Sequence, residues 1–162
     1  MTSSTCQKDG LDDPRFPIYL ETLNVTAQWK AYDIYAPAVR GTSAFYNSLF
    51  MFEGYSVEGV QAIPSDSAAF AFRSANLLVA PQITYEPAGA ARDKEAYLLG
   101  EQIRQILHEG SERSELRAYV NYAYGDETPL GWYGDEPWRQ NRLQSLKEFD
   151  PEGRFSFYAP IA

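Results

Sequence analysis

One cysteine and one histidine stand among the 162 residues, and that scarcity excludes whole classes of chemistry. A lone thiol, Cys6, forms no internal disulfide, and one imidazole with one thiol cannot make up the usual nitrogen and sulfur ligand set of a zinc site. No metal is therefore expected. Clustered Lys and Arg are also lacking: the formal net charge is -8, and nucleic acid or an anionic membrane requires basic groups to displace counterions. Apolar runs are too short to span a bilayer, and the opening residues have no apolar export segment, so the expected location is the cytoplasm. Asn24-Val25-Thr26 fits the glycosylation acceptor pattern, which matters only in an exported chain. There is no Gly-x-Ser-x-Gly elbow to support a hydrolase triad.

What is abundant is aromatic: 12 Tyr, 9 Phe and 3 Trp. Such side chains serve equally as core and as the walls of a small-molecule pocket. The length suits one domain. We expect a flexible N-terminal arm over 1–17 and a single α+β domain over 18–162, an antiparallel β-sheet covered by helices.

Strict alternation of Leu23, Val25, Ala27, Trp29 and Ala31 with polar residues predicts a strand over Thr22 to Ala31. From Thr42 to Phe52, Ser43 as N-cap with Phe45, Leu49 and Phe52 predicts a short helix, although Leu49 to Phe52 could equally begin a strand. Val57 to Ile63, Ala69 to Arg73 and Leu77 to Tyr85 read as strands, with Pro81 marking the last as bulged or at an edge. Leu99, Ile103, Ile106 and Leu107 give a helix between Ala90 and Glu109, closed by Gly110. Leu116 to Tyr124 reads as a strand, Gly125 to Gly131 as a loop, and Pro137 as the first turn of a helix ended by Asp150-Pro151.

Tyr119-Val120-Asn121-Tyr122, Trp132-Tyr133-Gly134, Leu143 with Leu146 and Lys147, Phe149-Asp150-Pro151 and Arg154-Phe155 follow one another in a recognisable order. Glu53-Gly54, Val57 to Ile63, and Ala69-Phe70-Ala71-Phe72-Arg73 before Leu77 precede them. From about Phe50 to its end the chain resembles the C-terminal, substrate-side portion of the berberine-bridge-enzyme-like FAD-linked oxidoreductases, a family that includes glucooligosaccharide oxidase. Phe72 departs from that pattern, standing where the family commonly has histidine. The resemblance implies FAD as cofactor, held mainly by a long N-terminal domain that has no counterpart here; no glycine-rich phosphate loop is present either.

The resemblance further implies a catalytic pair, Tyr122 with Glu53. A phenol of ordinary pKa near ~10 is a poor base unless a neighbour takes its proton. It places Tyr119 and Asn121 at the cofactor, and Arg73, Trp132 and Tyr133 at the substrate, though each also has an ordinary use in packing or in bonding to backbone. Strand parity would put Tyr119 and Asn121 on one face and Tyr122 on the other. His108, near a helix end, suits the helix dipole better than catalysis. Three functions follow: a substrate domain of an FAD-linked oxidoreductase, truncated or working with a separate flavin-binding chain or as a homo-oligomer, on a small molecule of secondary metabolism; a stand-alone non-redox cyclase or isomerase using the aromatic pocket; or a non-catalytic binding domain. The first predicts an exposed apolar surface where the missing part docks.

Overall fold

The computed structural model describes residues 10–161; Cys6 and most of the expected arm lie outside them. Three strands make one antiparallel sheet, β1 (Ile18–Leu20), β2 (Leu49–Glu53) and β3 (Leu77–Gln82), in the order β1-β3-β2. The helices are α1 (Val25–Ala38), α2 (Glu58–Gln61), α3 (Ala90–Gly110), α4 (Pro129–Tyr133) and α5 (Pro137–Ser145), with single 3-10 turns at Ser65–Ser67, Val120–Tyr122 and Leu146–Glu148. The expected α+β class holds. Among the described residues no helix is long and apolar enough to cross a membrane.

Register gives the sheet two unlike faces. Ile18 pairs with Val79 and Val79 with Phe52, while Leu20 pairs with Leu77. Side chains alternate along a strand, so this set lies on one face, where Ile18, Leu20, Val79, Ala31, Ile103 and Leu107 form the main core under α1 and α3. Tyr19 and Glu53 both pair with Leu78, so these three residues run across the opposite face in a row.

β3 is the central strand, although Pro81 suggested an edge. Phe16 N–H donates to the Pro81 carbonyl at 2.9 Å, so the proline nitrogen faces the same neighbour and one rung is absent there; the strand tolerates the loss because its other side still pairs Pro81 with Phe50. Within the described residues, the stretch 12–17 ahead of β1 is packed and not an arm: Asp12 and Tyr85 exchange two backbone bonds of 3.0 Å and Phe16 is fully buried. The outer edge of β1 is covered as well, because Tyr19 N–H donates to Arg117 O at 2.7 Å.

Thr22 to Ala31 is not a strand. Ala27 and Ala31, four apart, are the inward stripe of α1, while Leu23, Val25 and Trp29 stay more than half exposed, so the alternation mixed two faces of a helix. Asn24 starts that helix. Its Oδ1 accepts from Ala27 N–H and its Nδ2 donates to the Gly110 carbonyl, both at 3.1 Å, so one amide caps α1 and the end of α3 together. Gly110 is the last residue of α3, not a residue beyond it. A Cβ there would stand 2.4 Å from that of Ala27, which is why the helices close at this point.

The expected helix over 42–52 is a run of turns followed by β2. Ser43 bonds Phe45 N–H within a local turn (3.2 Å), and Ser48 Oγ accepts from Thr84 N–H at 2.9 Å, tying the chain to the sheet before the strand begins. Val57 to Ile63 holds α2, and Ala69 to Arg73 is irregular. Leu116 to Tyr124 is irregular apart from its 3-10 turn, and the expected loop after it contains the start of α4. Thr128 Oγ1 caps α4 (3.0 Å from Gly131 N). Pro137 does open α5.

Phe16 lies against α3 at Gly100, where an added Cβ would meet its ring at 2.1 Å. Gly100→Ala is expected to destabilise the fold by about 1–3 kcal/mol through overpacking, measured as a lower denaturant midpoint with an unchanged slope.

Candidate functional site

Over the open face of the sheet comes the segment 118–124. Because Val120–Tyr122 is a 3-10 turn, residues three apart fall on the same side; Tyr119 and Tyr122 stand with ring centroids 5.1 Å apart. Strand parity had separated them. Asn121 points to solvent and donates to the Tyr119 hydroxyl at 2.8 Å. The turn is fastened from outside by Tyr158, whose hydroxyl bonds the carbonyls of Val120 (2.8 Å) and Ala123 (2.7 Å).

Glu53 stands near Tyr122, 69 positions away in the sequence. The phenol pKa of Tyr122 is raised, first by burial, then by the negative charge of Glu53 and hydrogen bonding to it, against a smaller opposing pull from Arg15. The Arg15 guanidinium lies 4.7 Å from the centre of the Tyr122 ring and bonds Gln82 Oε1 at 3.2 Å. Tyr55 donates to Glu53 Oε2 at 3.3 Å.

Tyr19 completes the group, and sequence reasoning missed it. Its ring is 6.1 Å from Tyr119 and 5.6 Å from Phe72. Its pKa is pushed far up, mainly by burial and then by Tyr119, Glu53 and Tyr122. The available signal was Phe16, Ile18 and Leu20 at every second position, which makes Tyr19 the one polar-tipped residue facing away from the core. Tyr19, Glu53, Tyr55, Phe70 and Tyr119 line a cleft of about 360 Å³ floored by Leu78, open to solvent and of small-molecule size.

The other expected site residues lie elsewhere. Arg73 donates to the Val60 carbonyl at 2.9 Å, holding α2 in place and meeting no carboxylate. Trp132 is buried with Ala118 and Ala159, and its indole N–H donates to Glu127 Oε2 at 3.2 Å. Tyr133 donates to the Ala159 carbonyl at 2.6 Å. Both aromatics pack the C-terminal segment and do not line the cleft. His108 sits in the last turn of α3. Phe72, in the histidine position of the motif, is buried beneath Arg117, whose guanidinium lies 5.2 Å from its ring. Among the described residues no group of His, Cys, Asp and Glu could hold a metal ion.

This helix-backed antiparallel sheet, with phenols and a carboxylate on its open face, has the fold of part of berberine bridge enzyme. Berberine bridge enzyme from Eschscholzia californica superposes with a TM-score of 0.73 over 96% of this chain and 34% of its own; at 12% identity the likeness is one of fold. No family profile matches the chain. Its sequence is 57% identical over 162 residues to FAD-linked oxidoreductase chyH of Penicillium rubens, covering 99% of this chain and 32% of the relative. With FAD-linked oxidoreductase chry5 of Gibberella zeae the identity is 56% over 158 residues, covering 97% and 31%; with anuG of Penicillium roqueforti it is 39%, covering 99% and 31%. The chain is a partial match to the FAD-linked oxidoreductases with the fold of part of berberine bridge enzyme, and it spans about a third of the length of the relatives it matches.

Glu53→Gln removes the negative charge beside Tyr122 and Tyr19. A phenolate then forms against less repulsion, so the Tyr122 pKa should fall towards its ordinary value, read as tyrosinate absorbance appearing at lower pH than in the parent protein; an unchanged titration curve would show that the carboxylate does not act on the phenol.

Proposed function

We propose that this chain forms the acid–base wall of a small-molecule oxidation site, with Tyr122 and Glu53 as the proton-transfer pair and the flavin held mainly by protein beyond this chain. Glu53, Tyr119 and Tyr19 line one cleft, and Tyr122 stands beside Tyr119; that grouping carries this reading, and the names of the relatives supply the reaction class. The residues fit one side of a flat ring: Tyr119 and Asn121 would face it, with Arg15 behind Tyr122. They do not fit a diphosphate, since the sequence has no glycine-rich loop to receive one.

A bound flavin supplies a hydride acceptor. Residues of the chain manage the proton. The substrate hydroxyl hydrogen passes to the Tyr122 oxygen as the phenol proton passes to the Glu53 carboxylate, so no free phenolate need accumulate. That ordering suits a phenol whose pKa is raised, because a resting anion beside Glu53 is disfavoured. Tyr19, kept protonated by burial, donates a hydrogen bond to ligand oxygen, and a bound ligand displaces water from the apolar floor at Leu78. Secondary metabolites of low polarity match such walls.

One observation favours a second reading. The cleft and its acid–base pair are built entirely from this chain, so a non-redox cyclisation or isomerisation by the same pair needs no flavin.

After incubation with FAD and gel filtration, the chain alone is expected to emerge without flavin absorbance. Combined with a flavin-bearing partner and an oxidisable substrate, Tyr122→Phe should slow flavin reduction about 10²–10⁴-fold with little change in folding. An undiminished rate would remove Tyr122 from the chemistry. Turnover of a substrate by the colourless chain alone would favour the non-redox reading.

A further inference from the structure

Ahead of β1 the chain runs beside β3 and its extension in one unbroken register: Asp12 stands opposite Tyr85 and Arg15 opposite Gln82, as Ile18 stands opposite Val79. Side chains alternate along such a stretch, so Asp13 and Arg15 share the open face with Tyr19, while Thr84 and Gln82 share it with Leu78. Two polar cross-strand pairs thus extend the row that carries the phenols and Glu53. Thr84 Oγ1 donates to Asp13 Oδ1 at 2.6 Å, Gln82 Nε2 donates to Asp13 Oδ2 at 2.8 Å, and Arg15 Nε donates to Gln82 Oε1 at 3.2 Å. Gln82 and Thr84 are fully buried. The charges at its two ends fix the Gln82 amide, which turns its N–H to the carboxylate and its oxygen to the guanidinium.

Holding the stretch 12–17 against the sheet does not require this ladder. Backbone bonds already do so: Asp12 with Tyr85, Ile83 N–H to Pro14 O at 3.0 Å, and Phe16 N–H to Pro81 O at 2.9 Å. What the ladder decides is where the Arg15 guanidinium stands. With Nε occupied by Gln82, the rest of the planar group lies 4.7 Å from the centre of the Tyr122 ring, a combination of fork and stack that a lysine ammonium cannot make.

We propose that Arg15 is a positioning residue of the proton-transfer site: braced by Gln82 and Asp13 against the Tyr122 ring, it counters the charge of Glu53 and stabilises negative charge as it builds on the phenol oxygen. The groups that act on Tyr122 are Glu53 from β2, Tyr119 from its own turn, Tyr19 from β1, and Arg15. Of these, Arg15 alone favours an anion. While the Tyr122 oxygen gives one proton to Glu53 and takes another from substrate, any lag between the two leaves negative charge on it, and a fixed cation lowers the cost of that charge. What the transfer serves rests on the proposed function; the coupling of Arg15 to Tyr122 does not.

The coupling is tested on the chain itself, with tyrosine labelled at the phenol carbon by an NMR-active isotope and the Tyr122 signal assigned by its loss in Tyr122→Phe. Arg15→Met, which keeps an unbranched stem, should move the Tyr122 titration about 0.5–1 pH unit higher. Arg15→Lys, which keeps the charge, should move it less. Arg92→Met removes another guanidinium that lies over a ring, that of Phe45, and should leave it in place. Repeating the comparison in Glu53→Gln, where Tyr122 titrates at lower pH, keeps the answer accessible if the parent chain unfolds before its phenol ionises. An unmoved Tyr122 titration in Arg15→Met in both backgrounds, or a shift as large in Arg15→Lys, would overturn the proposal. Undiminished flavin reduction by Tyr122→Phe, with the Arg15 shift present, would instead overturn the proposed function and leave the coupling standing.

Discussion

Arg104 is the point on which the irregular half of the molecule depends. Only 3% exposed, it projects from α3 and bonds Glu127 at 2.6 Å, both oxygens of Asp126 at 2.8 and 2.9 Å, and Glu101 at 2.7 Å. Its plane also lies 5.5 Å from the Phe16 ring centre. A buried guanidinium is tolerable only when its donors are met. Glu127 passes the constraint on, accepting from the N–H groups of Tyr124 and Gly125 and from the Trp132 indole. A segment without a sheet or long helix of its own is thereby fixed, and the turn carrying Tyr119 and Tyr122 comes with it. Tyr124 stacks on Phe16 at 4.9 Å, returning the restraint to β1, where Tyr19 stands three residues on.

The division of the sheet follows from the same economy of parts. One face is sealed by two helices whose closest approach is set by Ala27 and Gly110. The other carries Tyr19, Leu78 and Glu53 in register and is covered by the turn at Val120–Tyr122 and by the irregular stretch that holds Phe70 and Phe72. Loops of this kind carry function because a rigid layer beneath positions them. Here the layer also contributes chemistry, since two of the polar groups rise from the strands themselves.

Elements with a single dominant signal were legible in the sequence. The α3 stripe and Pro137 at the start of α5 needed no tertiary information. Errors arose where two periodicities fitted the same residues. Leu23 to Ala31 alternates, yet Ala27 and Ala31 are also one helical turn apart, and the capping bonds of Asn24 decided for the helix. Leu116 to Tyr124 has strand-like composition, but β1 needs only one backbone bond from it, at Arg117, and the Arg104 network bends the rest away. Tyr19 escaped notice because it directly follows the stretch 1–17 expected to be an arm, whereas the backbone bonds of Asp12 and Phe16 draw the end of that stretch into the sheet.

Strand pairing has a period of two, so β2 can slide by one residue only by exchanging its faces. Such a slip would bring Phe52 into the cleft and turn Glu53 towards the apolar face beneath α1, taking the carboxylate away from Tyr19 and placing a charge among apolar side chains in one movement. Sequence changes that loosen the hold of β3 on β2 would thus disturb both faces of the sheet together.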